Sequence, residues 1–303
     1  MKNKASVFKS GYASLIGKPN VGKSTLLNRL TSEKIAAISS KPQTTRSRIT
    51  GVAHLDGGQI ILLDTPGIHK AFSKLNQLMV KAALNTLSDV DLILFLIDAQ
   101  QGFTEDDAYA LEMLKRVSVP VFLVVNKIDT VVKPKLLEII SDLNQKFNFA
   151  EIIPISALKD DGIDVLIRAI LDRLPEGPRY FPEDMVMDCP EKFWVSEIIR
   201  EKVMNLTHLE IPYSCAVLTD VLEEGRPGLL NIHATIYVEK ISQKKIMIGE
   251  KGKRIKQIGK LARGEIEKRF ACQVFLNLFV KVKNGWSQSN GDLRELGYIN
   301  DTY

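Results

Sequence analysis

Residues 17–24 read G-K-P-N-V-G-K-S, a G-x-x-x-x-G-K-[ST] loop set between the apolar run YASLI and the helix-like stretch STLLNRL. A loop of this kind between a strand and a helix is suited to wrapping a phosphate chain. Gly17 and Gly22 leave room and permit unusual dihedrals, and the N–H groups at the helix start face the anion. The motif therefore implies an α/β domain around it. From about residue 10 to 174, apolar β-rich runs (QIILLD, VDLILFLID, VPVFLVVNK, EIIPIS) alternate with helical patterns (LNQLMVKAAL, EDDAYALEMLKRV, KLLEIISDLNQKF, VLIRAILDRL). Such alternation predicts a mostly parallel sheet covered on both faces, with ligands at the carboxyl ends of the strands.

The side chains in these loops point to a nucleoside triphosphate. Lys23 is expected to reach the β- and γ-phosphates. Ser24 is expected to place its hydroxyl on Mg²⁺, and Asp64, ending QIILLD, to hold the same ion through water. Lys18, Pro19, Asn20, Val21 and Thr25 complete the phosphate cradle. The base is chosen by N-K-I-D at 126–129, after the strand VPVFLVV. The Asp129 carboxylate can accept both the ring N–H and the exocyclic amine of guanine, a donor pair that adenine lacks, so Asn126, Lys127 and Asp129 predict GTP over ATP. Ser156, Ala157 and Leu158, following EIIPI, are expected to close the pocket with a backbone N–H toward the guanine carbonyl.

Two segments between these motifs would sense the γ-phosphate. In D-T-P-G (Asp64, Thr65, Pro66, Gly67) the Gly67 N–H faces it, and the loop KPQTTRSR supplies Thr45 as a second magnesium ligand, with Thr44 the alternative. The expected catalytic set is Lys23, Thr45, Gly67 and Asn20. Many GTPases place a water-orienting glutamine after this motif. Here the residue is Ile68, an aliphatic side chain that neither donates to nor accepts from water, so unaided turnover is expected to be slow. Asn20 has two readings. Its amide oxygen could ligate K⁺ beside the phosphates, making hydrolysis potassium-stimulated, or it could simply stabilise its own loop.

Net charge divides unevenly along the chain. Residues 240–283 hold 13 Lys and Arg against 3 Asp and Glu, more than the whole chain's excess of +5. This is the expected footprint of a polyanion-binding surface. Inside it lies I-G-E-K-G, with Gly249 and Gly252 flanking Glu250 and Lys251. Two glycines at that spacing let backbone approach a phosphodiester, as in the KH module. The helix that follows carries Lys253, Arg254, Lys256 and Lys260, with Ile255, Ile258 and Leu261 expected to pack inward. A helix-strand-strand-helix-strand order frames this region. The expected RNA-binding set is Gly249, Glu250, Lys251, Gly252, Lys253, Arg254 and Lys256.

Prolines at 175, 178, 182 and 190 mark a linker. The expected organisation is a nucleotide domain over 1–175, a linker over 176–192, an RNA-binding domain over 193–284 and a polar tail over 285–303. Three dispersed cysteines and four histidines without metal-ligand spacing predict neither disulfides nor a zinc knuckle. With no apolar run of signal-peptide or membrane-spanning length, the chain is expected to be cytoplasmic; it is also expected to act as a monomer.

Taken together, GKPNVGKSTLLN, KPQTTR, DTPG, NKID and SALKDDG, followed by EIIREKVM and IGEKGKRIKQIG, resemble the Era family of bacterial ribosome-assembly GTPases over nearly the whole chain. The resemblance implies a Ras-like GTPase domain followed by a smaller α+β type II KH domain. It also implies binding near the 3′ end of small-subunit ribosomal RNA, a role in small-subunit maturation and peripheral association with the inner membrane. The acidic Glu250 in the glycine loop and the tail NGWSQSNGDLRELGY depart from the family pattern. Two other readings are a GTPase of another class, which would need a further catalytic or membrane domain, and a passive RNA binder with a decayed nucleotide site. The intact Gly22, Lys23, Ser24, Asp64, Asn126 and Asp129 argue against decay.

Overall fold

The computed structural model describes residues 7–68, 74–87 and 89–299. The chain divides into two compact units, the first built mainly from residues up to 188 and the second from 189 onward, with residues 37–44 and 74–78 grouping with the second.

In the first unit the elements follow in the order β1 (Lys9–Ile16), α1 (Lys23–Leu30), β2 (Ile49–Leu55), β3 (Gly58–Asp64), α2 (Lys74–Asn85), β4 (Leu92–Asp98) and α3 (Glu105–Leu114), then β5 (Val121–Asn126), α4 (Lys133–Asn144), β6 (Glu151–Pro154), α5 (Ile163–Arg173) and β7 (Met187–Asp188). They form a seven-stranded sheet ordered β6-β5-β4-β1-β3-β2-β7. The strands β1, β3, β4, β5 and β6 run parallel to one another, and β2 pairs antiparallel with β3. Apolar residues without alternation, as in LILFLID, suit strands buried on both faces, and every residue of β3, β4 and β5 is buried. Register fixes the site: Leu15 lies opposite Asp64 and Asp98 opposite Asn126, so the strands carrying the motif residues end at one edge of the sheet.

The proline-rich stretch read as pure linker does more than connect. It contributes β7, which pairs with Thr50 and Gly51 of β2 and extends the sheet. The prolines flank this short pairing, and an edge strand needs only one hydrogen-bonded side.

The second unit runs α6 (Glu191–Leu206), β8 (Cys215–Glu224), β9 (Leu229–Val238), α7 (Ile241–Ile248), α8 (Lys253–Phe270), β10 (Gln273–Val282) and α9 (Asn290–Glu295). Its three strands are ordered β10-β9-β8, with β9 antiparallel to β8 and parallel to β10. Helix α8 buries Ile258, Ala262 and Ile266, a stripe at four-residue spacing. Leu261 is therefore not an inward residue, contrary to the sequence expectation. It is 44% exposed, one residue out of phase with the stripe. Ile255 is half-buried.

Helix α6 buries polar as well as apolar side chains, because residues 37–44 lie against it. Arg200 pairs with Glu197 and donates to the Thr44 carbonyl, Glu201 accepts from the Ile38 N–H, and Lys41 donates to the Met204 and Thr207 carbonyls. The stretch expected to be a polar tail also packs into this unit. Trp286 is fully buried with its indole N–H donating to the Ser214 carbonyl, and Leu293 on α9 is fully buried as well.

Candidate functional site

The phosphate loop is built by backbone that only glycine tolerates. Gly17 has φ 154°, and a Cβ there would meet the Leu96 carbonyl oxygen at 2.5 Å. Gly22 has φ 101°, and a Cβ there would meet the Asn126 amide nitrogen at 2.3 Å. That amide donates to the Val21 carbonyl at 2.8 Å, while Asn126 Oδ1 accepts from the Ala157 N–H at 3.0 Å. One side chain thus ties the loop to the expected guanine pocket. Gly67 sits against the same loop, where a Cβ would come within 2.5 Å of the Pro19 nitrogen.

Lys23 is 6% exposed and donates to the carbonyls of Gly17 and Lys18, both at 3.0 Å. Burial lowers its pKa to about 8 against the opposing pull of Asp64 and Asp107. A buried ammonium hydrogen-bonded to neutral carbonyls is poised for an anion. Next to it in sequence, Ser24 Oγ donates to Asp64 Oδ2 at 2.7 Å and lies 2.8 Å from Thr45 Oγ1, which donates to the same carboxylate oxygen at 3.1 Å. Asp64 is fully buried, and burial raises its pKa against Lys23 and the two hydroxyls. Its second oxygen, Oδ1, is buried without a hydrogen-bond partner. An unsatisfied buried carboxylate oxygen beside two hydroxyls is a donor set of hard oxygens that fits Mg²⁺.

The geometry separates the two threonines that the sequence left open. Thr44 Oγ1 donates to the Lys41 carbonyl and its own carbonyl accepts from Arg200, whereas Thr45 joins Ser24 and Asp64. Thr65 Oγ1 donates to the Leu15 carbonyl at 2.8 Å, so its side chain fastens the end of β3 to β1. Ile68 is fully buried in the apolar core with Phe95 and Leu111, and its N–H donates to the Gly17 carbonyl.

At the base-reading end, Asp129 is exposed and its Oδ1 accepts from Ser156 Oγ at 2.6 Å. Lys127 has φ 66° and donates to the Asn20 carbonyl at 2.8 Å and to Asp98 Oδ2 at 2.7 Å. Leu158 is 69% exposed. Two groupings escaped the sequence reading. Asp98, buried at the end of β4, orients Lys127. Thr104 and Asp107 at the start of α3 hold the Lys18 ammonium at 3.0 and 2.8 Å. The Lys18 side chain is thus turned into the protein, and only its backbone is left for a nucleotide. The capping box Thr104-x-x-Asp107 is visible in the sequence, but nothing local joins it to Lys18.

In the second unit α7 and α8 meet at a tight turn. Gly249, Lys251 and Gly252 have φ of 73°, 49° and 75°, and a Cβ on Gly249 would meet Arg254 Cβ at 2.9 Å. Glu250, Lys251, Lys253 and Lys256 lie along this turn and the first turns of α8, while Arg254 is half-buried and donates to the Ile246 carbonyl, closing the end of α7. Beyond the turn a groove of about 410 Å³ runs between α8 and β10, lined by Ile255, Lys256, Gly259, Lys260, Arg263 and the β10 leucines Leu276 and Leu278. Cationic walls around an apolar floor suit unstacked bases and their phosphates.

These two units define a P-loop GTPase joined to a KH module. The family model described as 50S ribosome-binding GTPase matches residues 12–127, and the KH domain model matches residues 210–287. GTPase Era of Geotalea uraniireducens (strain Rf4) is 50% identical over 96% of this chain and 98% of its own. GTPase Era of Ruminiclostridium cellulolyticum is 50% identical, also over 96% and 98%. The solved structure of a point variant of Aquifex aeolicus Era bound to GDP·AlF₄⁻ matches with a TM-score of 0.94 at 42% identity, over 97% of this chain and 100% of that one. An Era structure in complex with MgGDPNP and nucleotides 1506–1542 of 16S ribosomal RNA matches with the same values. The chain belongs to the GTPase Era family and is a GTPase with a KH domain.

Proposed function

We propose that this chain hydrolyses GTP with Mg²⁺ at the Lys23–Ser24–Thr45–Asp64 cluster. We further propose that its KH unit binds small-subunit ribosomal RNA near the 3′ end, assisting maturation of the small ribosomal subunit. The observation that carries the nucleotide half is the convergence of Ser24, Thr45 and the orphaned Asp64 oxygen beside a buried ammonium. Ser24 and Thr45 would hold Mg²⁺ directly and Asp64 through water; when bound, the ion supplies positive charge to the phosphate oxygens. Lys23, relieved of its neutral partners, neutralises phosphate charge, and the N–H of Gly67 points donor character at the terminal phosphate. Asp129, held by Ser156, reads guanine, and Asn126 keeps that pocket in register with the phosphate loop.

Ile68 leaves no side chain to orient water, so Asn20 with K⁺ is the proposed source of help. Equal turnover in K⁺ and Na⁺ buffers would remove that part. The RNA half is supported by the glycine turn, the cationic groove and the Era relative solved with 16S ribosomal RNA. The reading extends to a monomer in the cytoplasm with peripheral attachment to the inner membrane; no helix among the described residues is long and apolar enough to cross one.

Two substitutions test the assignment. Asp129→Asn replaces an acceptor pair by an amide that suits the 2-oxo group of xanthine, so GTP binding falls by on the order of 10⁴-fold while XTP gains. Gly252→Asp, at φ 75°, strains the turn and adds negative charge, abolishing RNA binding with GTP binding intact. Loss of both activities in either variant would count against this division of labour.

A further inference from the structure

The sheet of the second unit has one face packed under helices and one that is covered only in part. On β10, Leu276 and Leu278 turn toward α8 and line the groove, so Phe275, Asn277 and Phe279 turn to the opposite face. Phe275 is 54% and Phe279 47% exposed, an exposure that no core role explains. Between them on β9 stands His233, in register with Asn277. Its ring lies 6.5 Å from Phe279 at an interplanar angle of 13°, and 6.4 Å from Phe275 at 61°. The C-terminal segment reaches the other end of this face, where Lys283 lies over the Tyr237 ring and pairs with Asp292 and Glu295. At the near end Phe275 and Phe279 stay exposed, with His233 half-buried between them.

We propose that Phe275, His233 and Phe279 form a second single-stranded-RNA surface, on which unpaired bases flanking those in the α8–β10 groove stack. This rests on the RNA-binding reading of that groove. Continuity favours RNA as the occupant: β10 is the edge strand, so one of its faces floors the groove and the other carries the platform. A strand leaving the groove over that edge meets the rings directly. Aromatic faces stack on any base, and Asn277 and Asn231, the latter in register with Phe275, bring amide donors and acceptors to base edges. The exposed Lys281 lies on β10 on the same face, whereas the acidic groups of that face, Glu223 in register with Asn231 and Asp220 accepting from the Thr235 hydroxyl, lie on β8, the far strand.

The experiment measures fluorescence anisotropy with two unpaired oligoribonucleotides from the 16S ribosomal RNA 3′ end, a short one that fills only the groove and a longer one with flanking bases. The full chain is compared with Phe275→Ala/Phe279→Ala and with Phe275→Tyr/Phe279→Tyr, which keeps the rings. The alanine pair is expected to bind the short RNA as the original does and to lose about tenfold or more on the longer one, with the tyrosine pair restoring it. Equal affinity of original and alanine pair for the longer RNA, or equal loss on both RNAs, overturns the platform. Unchanged RNA affinity with altered sedimentation assigns the face to a second copy and also overturns it. If the original binds neither RNA, the groove reading itself fails, and the platform with it.

Discussion

Lys18 Nζ lies 2.8 Å from Asp107 Oδ2, with side chains 6% and 0% exposed, joining the phosphate loop to the first turn of α3 across 89 residues of sequence. The same carboxylate oxygen accepts from the Thr104 N–H and hydroxyl, so one group caps a helix and anchors the loop.

Removing one member of such a buried pair strands the other. Asp107→Ala is expected to cost about 3–5 kcal/mol in urea unfolding, and adding Lys18→Met is expected to recover at least half of it. An additive double-mutant cycle would show that the pair contributes nothing as a pair.

Lys23 makes the nucleotide-free protein sensitive to pH. Its pKa is about 8 in the folded chain, and an unfolded lysine titrates near about 10.4. Between these values the unfolded chain holds a proton that the folded chain has released, so stability rises with pH across that window. Below about 8 both states are protonated and the burial penalty is constant. A phosphate at Lys23 favours the ammonium. Binding of GDP is therefore expected to take up a proton at pH 9 and progressively less toward pH 7.5, where the terminal phosphate is still fully ionised, read by calorimetry in buffers of different ionisation enthalpy.

Thr45 and Thr44 are neighbours in sequence with different partners. Thr45→Ala is expected to lower the Mg²⁺-dependent GTP turnover by at least about tenfold, whereas Thr44→Ala, losing one bond to the Lys41 carbonyl, stays within about twofold. Chelating the metal is expected to level the original and Thr45→Ala enzymes.

Ile68→Gln tests whether the missing glutamine can be restored. The side chain at 68 is fully buried among Phe95 and Leu111, so an amide there is expected to cost about 2–3 kcal/mol without raising turnover. A faster enzyme would mean that the backbone at 68 can turn its side chain outward.

Legibility follows the range of the interactions. Gly17, Gly22, Lys23, Ser24, Asp64, Asn126 and Asp129 are readable as candidates because each motif is a short contiguous stretch with a fixed local spacing. The parallel sheet follows from apolar runs alternating with helical periods. Periodicity gives the phase of a helix only approximately, which is why Leu261 reads as inward when the buried stripe is Ile258, Ala262 and Ile266. The β7 pairing and the burial of Trp286 depend on partners far along the chain, and composition alone describes those stretches as linker and tail.

From its residues alone, then, the chain determines which groups are proposed to meet phosphate, metal and guanine, because covalent spacing presents them together. The tertiary structure decided how those atoms are held: Asp107 for Lys18, Asp98 for Lys127, Thr45 rather than Thr44 beside Ser24, and Ile68 inside the core. It also decided that Phe275 and Phe279 face solvent. A sequence pattern fixes which side chains share a face, while only the packing of distant elements settles whether that face is covered.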